Sequence, residues 1–193
     1  MKKGEESRQH LIECAAELFW KNGYSATGIN EILKQTGLPK GSFYFYFKSK
    51  DDLASAVTEY YQKILLEQFQ SSSQGNDWES FIEEIFDYLS VRTSGQTFAG
   101  CPYAVMGMET ALSKPAVASV FMEGLKKLEQ IFQKVLLYSG LPQDHAAILS
   151  RRMLSIYQGY LLLGRINGDL SYLKNAEKNM IEMYREYRSY HGI

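Results

Sequence analysis

Lysines and tyrosines are concentrated in one short stretch of this sequence, in a pattern that suits contact with phosphate oxygens. Between Ile32 and Lys50 there are four lysines and no acidic residue, although the whole chain carries a formal charge of −1. Tyr44 and Tyr46 lie within the stretch, and a phenolic hydroxyl can donate a hydrogen bond to a phosphate oxygen. The pattern therefore predicts a local polyanion-binding patch rather than a generally basic protein.

The aromatic residues of this stretch divide between a core face and an outer face. All five positions from 43 to 47 are aromatic, so a short helix cannot bury every ring. At 100° per residue Phe43 and Phe47 share one face, which we assign to the core. Tyr44 and Tyr46 then point in other directions, where their hydroxyls are available.

Two short helices joined by a tight turn are predicted to position these side chains. Thr27 stands where an N-cap belongs, and a helix N-terminus is also a natural phosphate site. Gly37 ends this helix, and Pro39 suits the first turn of the next one, where its missing N–H costs nothing. Gly41 and Ser42 are small and would let the second helix approach a groove. The layout is that of a helix-turn-helix.

A helix is predicted on each side of this pair. The preceding one spans about Ser7 to Asn22 and has apolar residues at helical spacing, namely Leu11, Ala15, Leu18 and Phe19. The following one starts at Ser49, which has capping-box form with an acid three residues later, and runs to about Phe69. Lys50 is unusual near that N-terminus, where the helix dipole favours acids, and it makes sense if a phosphate lies nearby.

A set of apolar, glycine and polar positions between residues 8 and 57 has a spacing that is specific to one family. The set comprises Ala16, Leu18, Phe19, Gly23, Tyr24, Thr27, Ile32, Gly37, Gly41, Tyr44, Phe47, Lys50 and Leu53. With this signature the block resembles the DNA-binding domain of TetR/AcrR-type transcriptional regulators.

The resemblance implies a role for each residue of the basic stretch. The residues that would contact DNA phosphates are Thr27, Tyr44, Tyr46 and Lys50. The residues that would lie on the groove-facing side of the recognition helix are Lys40, Gly41, Ser42 and Phe45. The chain departs from the family at Pro39, where serine is frequent, and at Phe45, where histidine or tyrosine is frequent. Phe45 can offer only apolar contact, for example to a thymine methyl group.

The remainder of the sequence reads as a helical bundle, which makes the fold class all-α. We expect a helix-turn-helix domain over residues 1–50, a connecting helix over about 50–70 and a ligand-binding and dimerisation bundle over 71–193. The polar segment QSSSQGND at 70–77 is predicted to be a loop, and SGQTFAGCP at 94–102 to break the helix that Asp77 caps. Further helices are predicted at about 103–112, 115–138, 143–165 and 170–190.

The stretch from Met153 to Ile166, at the end of the helix predicted at about 143–165, is apolar nearly all round, so a partner subunit is expected to cover one face. Gly159 and Gly164 would permit close helix approach. The resemblance implies the same assembly, a homodimer joined through the last two long helices. Two recognition helices would then read the half-sites of a pseudo-palindromic double-stranded DNA operator.

Methionine and aromatic residues are frequent around the centre of the bundle. The candidate effector-binding residues are Tyr103, Met106, Met108, Phe121, Met153, Tyr157 and Tyr160. Such residues fit either an ordinary core or an adaptable small-molecule pocket. Glu109 either orients a ligand or is solvated. The resemblance implies a repressor that leaves DNA when a small-molecule effector of unknown identity binds.

Two alternatives retain DNA binding but change the signal. One is a DNA-binding dimer without an effector. The other is a thiol sensor that acts through Cys101, which follows Gly100 in a segment where a thiol could be exposed.

The competing class is an all-α enzyme, and the sequence contains few features that would support it. His10, His145 and His191 are scattered, and no metal-binding spacing, nucleophile motif or phosphate loop occurs, so no catalytic residue, metal site or cofactor is expected. Cys14 and Cys101 give no disulfide or zinc signal. No secretory signal or membrane span is apparent, and a cytoplasmic location is expected.

Overall fold

The computed structural model describes residues 3–93 and 98–193 and is helical throughout, with no strand among those residues. Its elements are α1 (Lys3–Asn22), α2 (Ile29–Thr36), α3 (Lys40–Tyr46), α4 (Lys50–Tyr61), a π-helical segment (Gln62–Leu66), α5 (Glu67–Ser72), α6 (Trp78–Thr93), α7 (Pro102–Thr110), α8 (Pro115–Tyr138), α9 (Gln143–Asn167) and α10 (Ser171–His191). The all-α prediction is confirmed.

The first three helices form around the predicted apolar faces. The buried side chains of α1 include Leu11, Ala15, Leu18 and Phe19, as the helical spacing predicted. α2 contributes Ile32 and Leu33, and α3 contributes Phe43, with Phe47 directly after it. Rings of Phe43 and Phe47 lie 5.9 Å apart, which confirms that these two face the core.

α4 begins with the predicted cap, but the long helix is not uniform. The N–H of Asp52 donates to Oγ of Ser49 at 3.1 Å, and the N–H of Lys48 donates to the carboxylate of Asp52 at 2.9 Å. Later in the same run, the five residues Gln62–Leu66 adopt π-helical pairing before α5 continues. The helical run therefore extends from Lys50 to Ser72 with one wider turn, so the first residues of the predicted 70–77 loop are helical.

The chain divides into two compact units. The first comprises the described residues up to Leu65 together with Pro102–Leu125, and the second comprises the described residues of Leu66–Cys101 together with Lys126–Ile193. In the first unit α7 packs against α1, and α7 lies so close to α8 that a Cβ on Gly124 would come within 2.6 Å of the Tyr103 ring. This division differs from the predicted one, because α7 and the first part of α8 pack with the helix-turn-helix region.

The second unit is built around a cluster of aromatic rings. Its buried members are Phe69, Trp78, Phe81, Phe86, Phe132, Tyr157 and Tyr184. The Phe132 ring contacts four of the others, and its centroid lies 5.5–6.3 Å from theirs. The indole N–H of Trp78 donates to the carbonyl oxygen of Met180 at 3.3 Å, and Asp77 caps α6 as predicted by accepting from the N–H of Ser80. Part of the predicted 94–102 break lies outside the described residues.

Candidate nucleic-acid interface

α3 exposes the side of its surface that is opposite to its buried rings. Tyr44 is 52% exposed and Phe45 is 80% exposed, although large aromatic side chains are normally buried in a protein of this size. Because Phe43 and Phe47 occupy the core face, a helix of 3.6 residues per turn must turn positions 44 and 45 outward. The exposed aromatic surface of α3 is thus a direct consequence of its period.

Lys40 and Gly41 extend this surface toward the start of α3, since both are exposed. The Lys40 ammonium lies 6.0 Å from the centre of the Tyr44 ring, at the edge of cation–π range. Ser42 and Tyr46 are only half-buried. The structure thus brings together Lys40, Gly41, Ser42, Tyr44, Phe45 and Tyr46 on one short helix.

The turn before α3 sets how that helix leaves α2. Gly37 has φ of 67°, in the left-handed region where a glycine avoids the clash that a Cβ would make. Pro39 is the N-cap residue of α3 and lies one position before the first helical residue, whereas the sequence placed it within the first turn. The helix-turn-helix layout itself is present.

Thr27 does not have the predicted cap role. The N-cap residue of α2 is Gly28, and no side chain caps that helix. Oγ1 of Thr27 instead donates to the carbonyl oxygen of Gly23 at 2.8 Å, and the whole side chain is buried. A hydroxyl that is enclosed and already bonded has no free path to a DNA phosphate, so this structure argues against the predicted phosphate contact of Thr27.

Lys50 is largely committed to the fold. Its Nζ donates to the carbonyl oxygens of Tyr24 at 2.8 Å and Thr27 at 2.9 Å, and it lies 4.2 Å from the centre of the Tyr24 ring. Burial lowers the pKa of Lys50, and the nearby Lys114 ammonium acts in the same direction. The two carbonyl oxygens occupy two of the three ammonium N–H groups, which leaves at most one for the phosphate contact that the sequence predicted.

The region also contains three charged residues that the sequence did not predict there, namely Glu109, Asp51 and Lys114. The carboxylate of Glu109 accepts from the backbone N–H groups of Tyr24 and Ser25, both at 2.6 Å. Glu109 is therefore neither solvated nor turned toward a ligand, which were the two predicted alternatives. No sequence signal could have found this contact, because Glu109 lies 85 residues after Tyr24.

Asp51 links the same turn to Lys114. The Lys114 ammonium lies 2.7 Å from one carboxylate oxygen of Asp51 and 2.8 Å from the other, and the Tyr24 hydroxyl donates to the same carboxylate. These donors lower the pKa of Asp51, with the Lys114 hydrogen bond as the largest cause. Burial and then the Asp51 contact raise the pKa of Tyr24, so its hydroxyl remains a donor.

The candidate effector residues divide between the two units. In the first unit Tyr103, Met106 and Phe121 are fully buried, whereas Met108 is 61% exposed. In the second unit Met153 and Tyr157 are buried. Tyr157 contacts the rings of Phe69, Phe86 and Phe132, as an ordinary core residue would.

Tyr160 is half-buried in the second unit, where its ring lies 6.3 Å from that of Tyr172. Five of the eight predicted residues thus behave as packed core within their own unit. Glu109 is bound to the backbone in the first unit, and Met108 points to its surface.

Cys101 is buried, so its thiol is not exposed, although the sequence allowed that it could be. The Gln158 side-chain amide lies 3.4 Å from the Cys101 sulfur. Cys14 is also buried, and burial raises the pKa of its thiol. Burial leaves neither sulfur with the accessible surface that a reactive thiolate needs.

The histidines that are scattered in the sequence are partly brought together. The rings of His145 and His191 lie 4.8 Å apart, and Nδ1 of His145 lies 3.0 Å from the Tyr187 hydroxyl. Within residues 3–93 and 98–193, however, no three histidine, cysteine or acidic residues are grouped so as to hold a metal ion. In the same residues no helix is long and apolar enough to cross a membrane.

The last turns of α9 expose apolar side chains within the second unit. Leu162, Leu163 and Ile166 are exposed, and so is Leu170 just after the helix. Gly159 has open space at its Cβ position, as the predicted close approach of a partner requires. A Cβ on Gly164 would instead lie 2.6 Å from the Phe98 ring, so Gly164 serves packing within the chain.

The chain matches two family models. Residues 11–57 match the family described as bacterial regulatory proteins, tetR family, and residues 78–179 match the transcriptional regulator LmrA/YxaF-like C-terminal domain. Together the two matches account for most of the chain, and the segment from residue 58 to 77 lies unmatched between them.

Relatives and a solved structure agree with these matches. The chain is 31% identical over 170 residues to the uncharacterised HTH-type transcriptional regulator YxaF of Bacillus subtilis, covering 85% of this chain and 87% of YxaF. It is 24% identical to the HTH-type transcriptional repressor NemR of Escherichia coli, covering 89% of this chain and 90% of NemR. A TetR transcriptional regulator from Legionella pneumophila superposes with a TM-score of 0.82 at 19% identity, covering 90% of this chain and 95% of that one.

Proposed function

We propose that this chain, which belongs to the TetR family of bacterial regulatory proteins, is a homodimeric repressor that a small-molecule effector releases from a pseudo-palindromic operator. Membership makes it a transcriptional regulator with a helix-turn-helix DNA-binding domain, and not an enzyme, as the sequence predicted. The observation that carries the proposal is the outer face of α3, where Tyr44 and Phe45 stand exposed beside Lys40. A protein that acts on chromosomal DNA in a bacterium works in the cytoplasm.

In the proposed complex α3 lies in the major groove, and its residues have separate tasks. Lys40 neutralises charge and donates to a base edge or phosphate, while Gly41 and Ser42 leave room for close approach. Phe45 contacts an apolar group such as a thymine methyl. The hydroxyls of Tyr44 and Tyr46 donate to phosphates, and Lys50 uses its remaining N–H in the same way.

The proposed dimer is supported by the exposed apolar end of α9. Leu162, Leu163 and Ile166 form an apolar surface on one of the last two long helices, and such surfaces usually mark an interaction site. A two-fold dimer would place two copies of α3 roughly 34 Å apart, one DNA turn, to read two half-sites.

Effector release is supported by the family and by the relation to a named repressor. An effector that binds one state of the protein better than the other would shift the population away from the DNA-binding state. A thiol sensor acting through Cys101 has less support, because that sulfur is buried in the described structure.

The deciding experiment measures binding of the purified protein to its own upstream DNA by fluorescence anisotropy at two salt concentrations. Specific binding that weakens steeply from about 50 mM to about 200 mM salt is expected, because neutralised phosphates release counterions. Lys40→Ala should lower the salt slope by about one unit and change sequence preference. Lys134→Ala, at an exposed position of α8 outside the two helices of the proposed dimer, is the matched control and should leave binding unchanged. Absence of specific binding would contradict the proposal.

The oligomeric and effector parts have separate tests. Leu163→Glu should convert a dimer into a monomer in sedimentation experiments, whereas Tyr138→Glu, on exposed α8 surface, should not. A dimeric Leu163→Glu variant would place the interface elsewhere.

A screen of metabolites and drugs by melting temperature should find a compound that stabilises the protein and weakens DNA binding. If no stabilising compound also weakens binding, the dimer without an effector is favoured.

A further inference from the structure

The carboxylate of Glu109 holds the turn between α1 and α2 by its backbone. One oxygen accepts from the N–H of Tyr24 and the other from the N–H of Ser25, both at 2.6 Å. These amides lie between two helices, where the backbone has no helical partner to offer them. A charged carboxylate that accepts from two backbone donors is among the stronger anchors available to a loop.

The turn is shaped to receive this carboxylate. Gly23 has φ of 95°, a left-handed conformation that favours glycine. A Cβ at that position would also lie only 2.8 Å from one oxygen of Glu109. Residue 23 must therefore lack a side chain both for its own backbone and for the approach of Glu109.

A second set of contacts holds the turn from the start of α4. Lys50 donates to the carbonyl oxygens of Tyr24 and Thr27, and Asp51 accepts from the hydroxyl of Tyr24. Lys114 then pairs with Asp51 at 2.7 Å. The turn is thus fixed between α4 on one side and the residues of α7 and its following turn on the other.

Two of the residues that hold this turn come from a distant part of the chain. Glu109 and Lys114 lie within residues 78–179, which match the C-terminal regulatory family region, yet they pack in the first unit with the helix-turn-helix. The turn they hold leads directly into α2 at Ile29, and α2 leads into α3. Any displacement of α7 that withdraws Glu109 leaves two backbone amides of that turn without their acceptor.

We propose that Glu109 is a positioning residue for DNA recognition, which fixes the α1–α2 turn and through it the placement of α2 and α3, without touching DNA itself. This inference rests on the DNA binding proposed above. Under this inference Glu109, which lies in the C-terminal family region, acts on the DNA-binding region. It also predicts a specific pattern of binding that neither a direct DNA contact nor a purely structural role would give.

The test compares Glu109→Ala and Glu109→Gln with the wild type, and uses Glu123→Gln on exposed α8 surface as the matched control. Operator affinity is measured by anisotropy across a salt series, and the active fraction by titration at DNA concentrations well above Kd. Loss of an acceptor shared by two amides should raise Kd about tenfold or more in the alanine variant. Glutamine keeps one acceptor oxygen, so its effect should be smaller, and Glu123→Gln should match the wild type.

The salt slope separates positioning from direct contact. Because Glu109 touches no phosphate, its variants should keep the wild-type slope while the whole binding curve shifts. An unchanged Kd in both Glu109 variants would overturn the inference, and so would a reduced active fraction whose remaining molecules bind with wild-type Kd. If the alanine variant does not fold, the glutamine variant decides by the same criteria. Failure of the wild type to bind any DNA would overturn the proposed function as well, and is thereby distinguished from failure of Glu109 alone.

Discussion

α3 and the centre of the second unit are both rich in aromatic residues, and they use them in opposite ways. In the second unit seven aromatic side chains are buried against one another, and Phe132 contacts four of the rings. In α3 the rings of Tyr44 and Phe45 project into solvent. Burial of a ring removes apolar area from water and stabilises the fold, whereas exposure of a ring forgoes that stabilisation.

This difference means that effects on stability and effects on DNA recognition can be measured separately by substitutions in the two regions. An exposed Phe45 contributes little to the folded state, so its ring is available for contact with a partner. A buried Phe132 contributes to the folded state and has no surface to offer. Substitutions in the two regions should therefore have different measurable consequences.

Phe132→Ala should have the largest effect. Removing a fully buried ring deletes its burial and leaves a cavity, so the free energy of unfolding should fall by about 3–5 kcal/mol. Urea denaturation checks this value. Tyr138→Ala, at an exposed position of the same helix, should change it by no more than about 0.5 kcal/mol. Similar losses in both variants would mean that the ring cluster is not the stabilising core.

Phe45→Ala should weaken operator binding and leave stability nearly unchanged. The lost apolar contact should cost about 1–2 kcal/mol of binding free energy, with relaxed preference at the base pair that Phe45 faces. Stability should shift by no more than about 0.5 kcal/mol. The matched variant is Phe43→Leu, which alters a fully buried ring two residues earlier and should lower stability instead. If Phe45→Ala lowers stability as much as Phe43→Leu, the exposed position of Phe45 is wrong.

Tyr44→Phe should have a smaller effect that is uniform across sequences. The change removes only a hydroxyl, so binding free energy should fall by about 0.5–1.5 kcal/mol, the usual value of one hydrogen bond. Anisotropy with the operator and with unrelated DNA of equal length checks the uniformity. Tyr190→Phe, which alters another exposed tyrosine far along the chain, serves as the control. Normal binding by Tyr44→Phe would remove its hydroxyl from the proposed interface.

The smallest effect concerns pH and the Asp51 carboxylate. Its folded-state pKa is lowered, chiefly by Lys114, so the charged form stabilises the fold above the unfolded-state pKa of about 4 and this contribution is lost as pH falls through the folded value. Because both partners are more than one-third exposed, we expect no more than about 1 kcal/mol.

Urea midpoints measured from about pH 6 to about pH 2 check this expectation. Asp51→Asn keeps an oxygen for the Tyr24 hydroxyl but removes the charge, so its midpoint should fall less steeply than that of the wild type below about pH 4. Glu182→Gln, in a looser pair on the surface, should follow the wild type. Parallel curves for Asp51→Asn and the wild type would exclude a stabilising pair.

The sequence was a good guide wherever a local period or a local motif decides the outcome. Phe43 and Phe47 were assigned to the core from their four-residue separation, and both are buried. The Ser49 cap was predicted from the acid three residues later and the Asp77 cap from its place before an amphipathic helix, and both hydrogen bonds are present. Apolar periodicity placed the long helices to within a few residues at most ends.

Predictions failed at residues for which the sequence allowed more than one partner. Thr27 has the right residue type and position for a cap, but its hydroxyl bonds back to Gly23. Gly164 was assigned to a partner helix, but the Phe98 ring occupies the space beside it. In both cases a competing partner lies within the same unit, and the pattern of residue types does not distinguish the two outcomes.

The sequence alone was sufficient to predict the class of this protein, because hydrophobic period, turn glycines and capping residues act over a few residues. It also determined which rings of α3 face outward, since the period of a helix fixes the opposite face once one face is buried. The hydrogen-bond partners of Glu109 and Lys50 became known only from the folded chain. Their partners are backbone groups far away in the chain, and backbone groups carry no mark in the sequence.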